Sequence, residues 1–271
     1  MKTKSPLAYF GSDASVAPQL GAMLDHCRHV TIPFCGGLSI LPHLNARAIV
    51  ANDLHELAVN FYRVVSGRFG DHDKQQLLSA CNRTLSHPTE LGEARLIIAR
   101  RSGSEARLAW AYWALTWIGR KGKGGTKHQG DMPSIRRTAT GGTNASRIRA
   151  AASDLEGWAK QFERCEFECD CFRNQLPKVA DRDDCGIYCD PPWVGAGRNY
   201  LHSFDEQDHR DLAELLQRFE HTTVVIRYGN DPLIRELYDG WHITEASSRT
   251  QSNSSVGEIW ITNKPTHGET Q

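Results

Sequence analysis

The chain has 271 residues, with 32 basic against 32 acidic side chains and 39% hydrophobic content. That length suits one large domain, or a domain carrying a sizeable insertion. The zero net charge excludes a bulk polycation, so any basic face for nucleic acid must be local, and no apolar run approaches the ~18–20 residues that span a bilayer.

The opening residues, Met1-Lys2-Thr3-Lys4-Ser5-Pro6, lead into no apolar h-region, so no signal peptide and a cytoplasmic protein are expected. Leu7-Ala8-Tyr9-Phe10-Gly11-Ser12-Asp13 sets an aromatic pair before a turn, and Ser12 or Asp13 can cap a helix expected over 14–27. A strand over 29–34 empties into Cys35-Gly36-Gly37-Leu38-Ser39. A strand running into a glycine pair is where an open α/β sheet lets a ligand approach the backbone. An ordinary strand-to-helix turn uses the same residues. A second strand, 46–52, ends at Asp53, 17 residues after Gly36. An acid there is the expected ribose-hydroxyl ligand in nucleoside-binding α/β folds, which space it by roughly 20. The helix read from Leu54 onward gives Asp53 a second role as its cap.

Residues 67–163 break this alternation. Helices are expected over 90–101 and 105–118, the second carrying Trp110, Tyr112, Trp113 and Trp117. At that spacing most of these aromatics are read as core rather than as a base-stacking platform. The stretch 119–149 has almost no apolar periodicity. It holds Arg120, Lys121, Lys123, Lys127, Arg136, Arg137, Arg147 and Arg149 against the single acid Asp131, a local charge of eight minus one, or +7. Arg120, Lys121, Lys123, Lys127, Arg136 and Arg137 are therefore the candidate nucleic-acid contacts. A solvated loop whose charges aid solubility is the plainer alternative. A helix over 144–162 closes the insertion.

Strands resume at 165–169. Five of the eight cysteines fall between Cys165 and Cys189, at spacings only loosely like those of zinc sites. Free thiols and no metal are the expectation, because strand cysteines behave as small buried hydrophobes. A helix over 206–219, a strand over 222–228, a short helix over 232–238 and strands over 241–244 and 258–262 complete the chain. That makes seven strands. The last two lack a long helix between them, so a closing strand antiparallel to a parallel sheet fits best.

The stretch to which the rest refers is Ile187-Tyr188-Cys189-Asp190-Pro191-Pro192-Trp193. Apolar residues run into an acid, and two prolines end the ladder because neither donates a backbone hydrogen bond. Asp190 is thereby expected at a strand's C-terminal end, on a rigid turn, with a flat ring three residues on. A carboxylate and a preset carbonyl accept the two protons of a planar amine, and the ring stacks on its face. A strand-ending turn with a partly buried tryptophan is the non-functional alternative.

Asp190-Pro191-Pro192-Trp193 resembles the catalytic motif of S-adenosylmethionine-dependent amino-group methyltransferases, in the form used on adenine N6. The first third of the chain is similar to the DNA adenine methylase family as well. Tyr9 to Asp13 stands at its aromatic-x-Gly-Gly/Ser-Lys element, Pro33 to Ser39 at its Pro-Phe-x-Gly-x-Gly-Ser loop, and Asn52-Asp53-Leu54 at its Ala-Asp-Ile. Two departures are Asp13 where the family has Lys, and Leu38 where it has the loop's last glycine. Beyond the catalytic motif, Tyr200 to Phe204 with His209-x-x-Leu212 and Ser252 to Asn263 match later family elements. The inserted block shows no match to the family's target-recognition pattern.

The resemblance implies an α/β fold, a Rossmann-like seven-stranded methyltransferase sheet. Its core would comprise 1–66 and 164–271, with 67–163 an inserted, mostly helical target-recognition region. It implies S-adenosylmethionine as cofactor and DNA as partner, with methyl transfer to adenine N6 of a flipped base. Asp190, Pro191, Pro192 and Trp193 would be the catalytic residues. The cofactor would meet Tyr9, Phe10, Gly11, Ser12, Pro33, Phe34, Cys35, Gly36, Gly37, Asp53, Leu54, Asp170, Cys171 and Asp190, with Asp53 on the ribose and Asp170 on the adenine edge. RNA adenine and cytosine N4 remain as alternative targets, the second ranked lower because it more often carries Ser at the Asp190 position. A catalytically silent nucleic-acid-binding protein of the same fold is the alternative from another class.

Overall fold

Seven strands form one sheet: β1 (His29–Ile32), β2 (Ala48–Asn52), β3 (Cys165–Glu168), β4 (Cys185–Cys189), β5 (Thr223–Gly229), β6 (His242–Arg249) and β7 (Ser255–Thr262). The structure is a computed structural model that describes residues 5–119, 124–127, 143–249 and 255–265. The spatial order is β3-β2-β1-β4-β5-β7-β6. β2, β1, β4 and β5 run parallel, while β7 is antiparallel to both β5 and β6. The expected antiparallel closing strand is thus β7, and it lies inside the sheet rather than at its edge. β4 is buried along its whole length and β5 at all but its last residue. Strands covered on both faces read as near-continuous apolar runs, and β5 departs from this at Thr223 and Arg227.

The helices are α1 (Ala17–Ala22), α2 (Glu56–Val65), α3 (Asp71–Arg83), α4 (Pro88–Arg100), α5 (Glu105–Ile118), α6 (Asn144–Ser153), α7 (Leu155–Phe162), α8 (Phe172–Gln175), α9 (Glu206–Leu216) and α10 (Pro232–Leu237). None of them is long and apolar enough to cross a membrane. The chain divides into two units, 1–14, 36–42 and 55–167 on one hand and 15–35, 43–54 and 168–271 on the other.

The first unit is helical, and α5 is its centre. From Ala109 to Thr116 this helix is buried around its whole circumference, and it packs on α2, α3, α4 and α6, as an all-round apolar helix must. Trp110, Tyr112 and Trp113 are core side chains, the reading their spacing favoured. The Trp117 indole N–H donates to the Pro6 carbonyl at 3.1 Å, which ties the N-terminal segment to α5. Helix α3 has no counterpart in the sequence reading, because only Leu77, Leu78 and Cys81 of its thirteen residues are buried. The expected 144–162 helix is broken in two at Asp154, which ends α6 and starts α7.

In the second unit, α9 lays His209, Leu212, Ala213 and Leu216 on a core that includes Ile187, Cys189, Val224, Ile226, Tyr228 and Ile259. Asp205 and Asp208 close a capping box at its start. α1 is much shorter than the 14–27 helix expected. Pro18 stands in its first turn, and after Ala22 the chain tightens into i→i+3 turns, Leu24 to Gly21 and Cys27 to Leu24.

One buried side chain pins the strand ends that matter most. Asn52, at the end of β2 and 1% exposed, donates to the Pro33 carbonyl at 3.0 Å and the Asp170 carbonyl at 2.9 Å. Its Oδ1 accepts the Asp170 N–H at 3.0 Å. The chain after β1, the end of β2 and the chain after β3 are thereby held by one amide. Asn52→Ala leaves two carbonyls and an N–H without this partner, and should cost about 1–3 kcal/mol, read as a lower urea midpoint at unchanged m-value.

Candidate functional site

The ladder register explains how the Asp-Pro-Pro-Trp turn is supported. Cys189 is paired with Ile226 across the parallel β4–β5 ladder, so Asp190 emerges beside Arg227. On the antiparallel side, Trp260 is the partner of Arg227, and Glu258 of Gly229. Side chains alternate with a period of two. Asp190, Arg227, Gly229, Glu258 and Trp260 therefore share one face of the sheet, and a one-residue slip of any strand would scatter them.

Arg227 is 7% exposed and Glu258 1%. Arg227 donates from Nε and Nη2 to the two oxygens of Glu258, at 3.0 Å each, a two-pronged fork. Its remaining terminal nitrogen reaches Asp190, at 3.1 Å to Oδ2 and 3.4 Å to Oδ1. The Trp260 indole N–H donates to Glu258 at 2.7 Å. The Arg227 guanidinium carbon lies 5.1 Å from the centre of the Trp193 ring, within cation–π range. Gly229 leaves room for that ring, since a Cβ there would fall 2.8 Å from Trp193 Cε3. Burial opposes charge on Arg227, but the Asp190 and Glu258 carboxylates outweigh it and raise its pKa above the usual arginine value. Burial first, and the Asp190 carboxylate next, push the Tyr200 hydroxyl well above its ordinary value, and Asp53 adds to the effect. Tyr200 therefore sits in the field of both Asp190 and Asp53.

The other expected residues of the sheet unit gather at the same strand ends. The Phe34 ring stands 5.4 Å from Phe172 and 5.7 Å from Phe204. The Cys35 N–H donates to the Asn52 carbonyl at 2.8 Å, and the Asp53 N–H to the Glu168 carbonyl at 3.3 Å. Asp53 is not the cap of α2, because His55 holds that position and accepts the Ala58 N–H. Asp53 is half-buried at the end of β2. Asp170 is more committed. Its Oδ1 accepts the Cys171 N–H at 2.7 Å and the Asn174 amide at 2.9 Å, and these two bonds lead the lowering of its pKa. Leu54 is exposed and Cys171 half-buried. Cys165, Cys185 and Cys189 are buried free thiols, and burial lifts Cys165 to about 12.

The remaining expected cofactor residues lie in the helical unit. Gly36 takes φ +44°, and a Cβ on it would meet the Tyr9 ring at 3.3 Å. At Gly37 a Cβ would fall 2.9 Å from the Tyr9 Cβ. The Tyr62 hydroxyl donates to the Gly36 carbonyl, and the Ser5 hydroxyl to that of Gly37. The Phe10 N–H donates to the Gly124 carbonyl at 3.2 Å. Gly11 and Ser12 are exposed, with the Ser12 hydroxyl 2.8 Å from that of Ser39. Asp13 is buried.

Of the proposed nucleic-acid contacts, Lys127 is exposed, while Arg120, Lys121, Lys123, Arg136 and Arg137 lie outside the described residues. Arg227, Glu258 and Asn52 were not singled out from sequence. The available signal was an arginine inside the apolar run Val224-Val225-Ile226-Arg227-Tyr228, and a glutamate opening Glu258-Ile259-Trp260-Ile261. A charge in a strand that must be buried needs a partner.

No curated protein matches the chain. Among solved structures it is similar to an O-methyltransferase from Bacillus cereus in complex with SAH, at 11% identity, covering 94% of this chain and 81% of that one, with a TM-score of 0.39. It is also similar to cofactor-bound Rv0187 from MTB, at 9% identity, with 94% and 83% covered and a TM-score of 0.38. Likenesses at that level carry no argument about activity. The family model for the D12 class N6 adenine-specific DNA methyltransferases matches residues 9–251. With nine-tenths of its length inside that match, this chain belongs to the D12 class N6 adenine-specific DNA methyltransferase family.

Proposed function

We propose that Asp190, the Pro191 carbonyl and Trp193 hold the N6 amine of an adenine flipped out of DNA, while Asp53 and Asp170 hold the cofactor. Family membership makes adenine in DNA the target and S-adenosylmethionine the cofactor. When bound, the cofactor supplies an electrophilic methyl group, so the chain's task is position and charge. The observation that carries the reading is the placement of Asp190 on a Pro-Pro turn at the end of β4, held by Arg227 at 3.1 Å beside the Trp193 ring.

An exocyclic amine on an aromatic ring is a weak nucleophile, because its lone pair is delocalised. Hydrogen bonds from its two protons, to the Asp190 carboxylate and the Pro191 carbonyl, would favour a tetrahedral nitrogen with a localised lone pair. The two prolines fix where that carbonyl points. A paired base cannot reach such a turn, so it must leave the stack. Asp53 at the end of β2 suits the ribose hydroxyls and Asp170 at the end of β3 the adenine edge, as in other crevices at the C-terminal ends of parallel strands. Phe34, Tyr9, Phe10 and the Gly36-Gly37 turn join the cofactor set on the strength of the family pattern. The 67–163 region is proposed to carry target recognition, and the basic stretch within it the backbone contacts, on DNA in the cytoplasm.

Labelled-methyl transfer to DNA tests the reading. Asp190→Ala should stay folded, because Glu258 still neutralises Arg227. It should bind cofactor normally and transfer methyl groups about 10²–10³-fold more slowly. Trp193→Ala should weaken substrate use by ~1–3 kcal/mol, the scale of a lost base–aromatic stack, and Trp193→Phe by much less. Near wild-type turnover in Asp190→Ala would sink the catalytic assignment. For the cofactor, calorimetry on Asp53→Ala should show weaker S-adenosylmethionine binding, and unchanged affinity in a folded variant would remove the ribose role. For the basic stretch, neutralising Arg136 and Arg137 together should lower the log–log salt slope of DNA binding by roughly two, with cofactor affinity unaffected. An unaltered slope would leave those charges as a solubility feature.

A further inference from the structure

We infer that Arg227 is a positioning residue for methyl transfer: anchored by Glu258, it fixes the Asp190 carboxylate and the Trp193 ring in one arrangement. The inference rests on the roles assigned above to Asp190 and Trp193, and it adds the group that sets their geometry.

A guanidinium offers five N–H donors in one plane. Here three nitrogens are divided between two acids. Nε and Nη2 face the two Glu258 oxygens at 3.0 Å each, and Nη1 faces Asp190 at 3.1 Å. Glu258 is in turn held by the Trp260 indole at 2.7 Å. The series Trp260, Glu258, Arg227, Asp190 thus crosses β7, β5 and the end of β4, and each link starts from a strand rather than a loop. The edge of the guanidinium is spent on the carboxylates. Its flat face is left for the Trp193 ring, 5.1 Å away.

Two consequences follow for the reaction. A carboxylate gripped by Nη1 cannot rotate freely about its own bonds, so the oxygen meant for the target amine has one direction. A ring seated on the guanidinium and against Gly229 has one tilt. Productive constellations tolerate errors of about 0.5 Å, and misplacement of a reacting group lowers rate without lowering affinity. Stability alone does not ask for this charge, since well-packed apolar residues often replace a buried ion pair at no loss. An arginine in the middle of β5 is accounted for by what it holds.

Arg227→Ala would leave Glu258 buried without its cation, so two other variants are the informative ones. Arg227→Lys keeps the charge and loses the fork. The double variant Arg227→Met with Glu258→Met removes both charges at similar volume and leaves Asp190 and Trp193 in place. Each is compared with wild type in three measurements: S-adenosylmethionine affinity by calorimetry, kcat and KM for labelled-methyl transfer to DNA, and the Trp193 indole N–H resonance, assigned by its loss in Trp193→Phe. The expected result is unchanged cofactor affinity, KM for DNA within about two-fold, kcat lower by at least about ten-fold, and a displaced Trp193 resonance. A kcat within two-fold of wild type in the folded variants overturns the inference, as does an unmoved Trp193 resonance. Should wild-type protein transfer no methyl group to DNA, the functional reading falls. The resonance then decides the positioning role by itself, displaced in its favour and unmoved against it.

Discussion

A single arginine buried between two carboxylates is the constraint on which the site depends. Taking an isolated ion out of water costs many kcal/mol, and a protein tolerates it only with charge and hydrogen bonds returned in good geometry. Arg227 receives both, from Glu258 and Asp190. The return is possible only because β5 lies between β4 and β7 with the pairing that puts all three side chains on one face. Sheet order, register and the geometry of this charged set are one requirement here. An antiparallel β7 on the other side of β6 would leave Arg227 without Glu258, its two-pronged partner. The place of the last strand inside the sheet is therefore tied to this buried ion pair, not only to the topology.

That dependence also marks where sequence reading stops. The seven strands, the Pro-Pro stop after Cys189 and the acid at the end of β2 were legible because each rests on a local signal: a period, a proline, a charge ending an apolar run. β1 is expected through Phe34 and ends at Ile32, the residue before Pro33, for the same local reason. The Arg227–Glu258–Asp190 set was not legible, because it joins residues 37 and 31 positions apart through a register no local pattern encodes. Helix α3 escaped for a different reason. Its buried side is three residues wide, too little to stand out as a helical period. The tryptophan helix shows the opposite case, where an all-round apolar surface states burial whatever the partners are.

Asp53 and Asp170, alike in sequence as strand-ending acids, are unlike in the structure. His55, not Asp53, is the N-cap of α2. Asp170 is oriented by bonds from Cys171 and Asn174, and Asn52 holds its backbone on both sides. Its second oxygen meets the Lys178 ammonium at 3.5 Å, so both oxygens of Asp170 are engaged within the chain. Asn52 occupies the place of alanine in the family's Ala-Asp-Ile. In this chain a side-chain amide therefore does the joining that alanine cannot do, and the strand ends carrying both acids share one fastening.

Leu38 shows how a departure from the family pattern is absorbed. The position is glycine in the family loop, and glycine there permits a left-handed backbone. Leu38 keeps that backbone, at φ +53°. An L-residue in this region costs roughly 1–2 kcal/mol. The Leu38 side chain is 1% exposed, and burying a leucine contributes about 1.5–3 kcal/mol relative to leaving it in water. The two terms are of the same size and opposite sign. The loop can then hold the glycine-type turn without the glycine, provided the side chain finds a core to enter. Within the helical unit it does, on the same loop where Gly36 and Gly37 keep their carbonyls bonded to Tyr62 and Ser5. Burial of the Leu38 side chain thus offsets the conformational cost of its left-handed backbone.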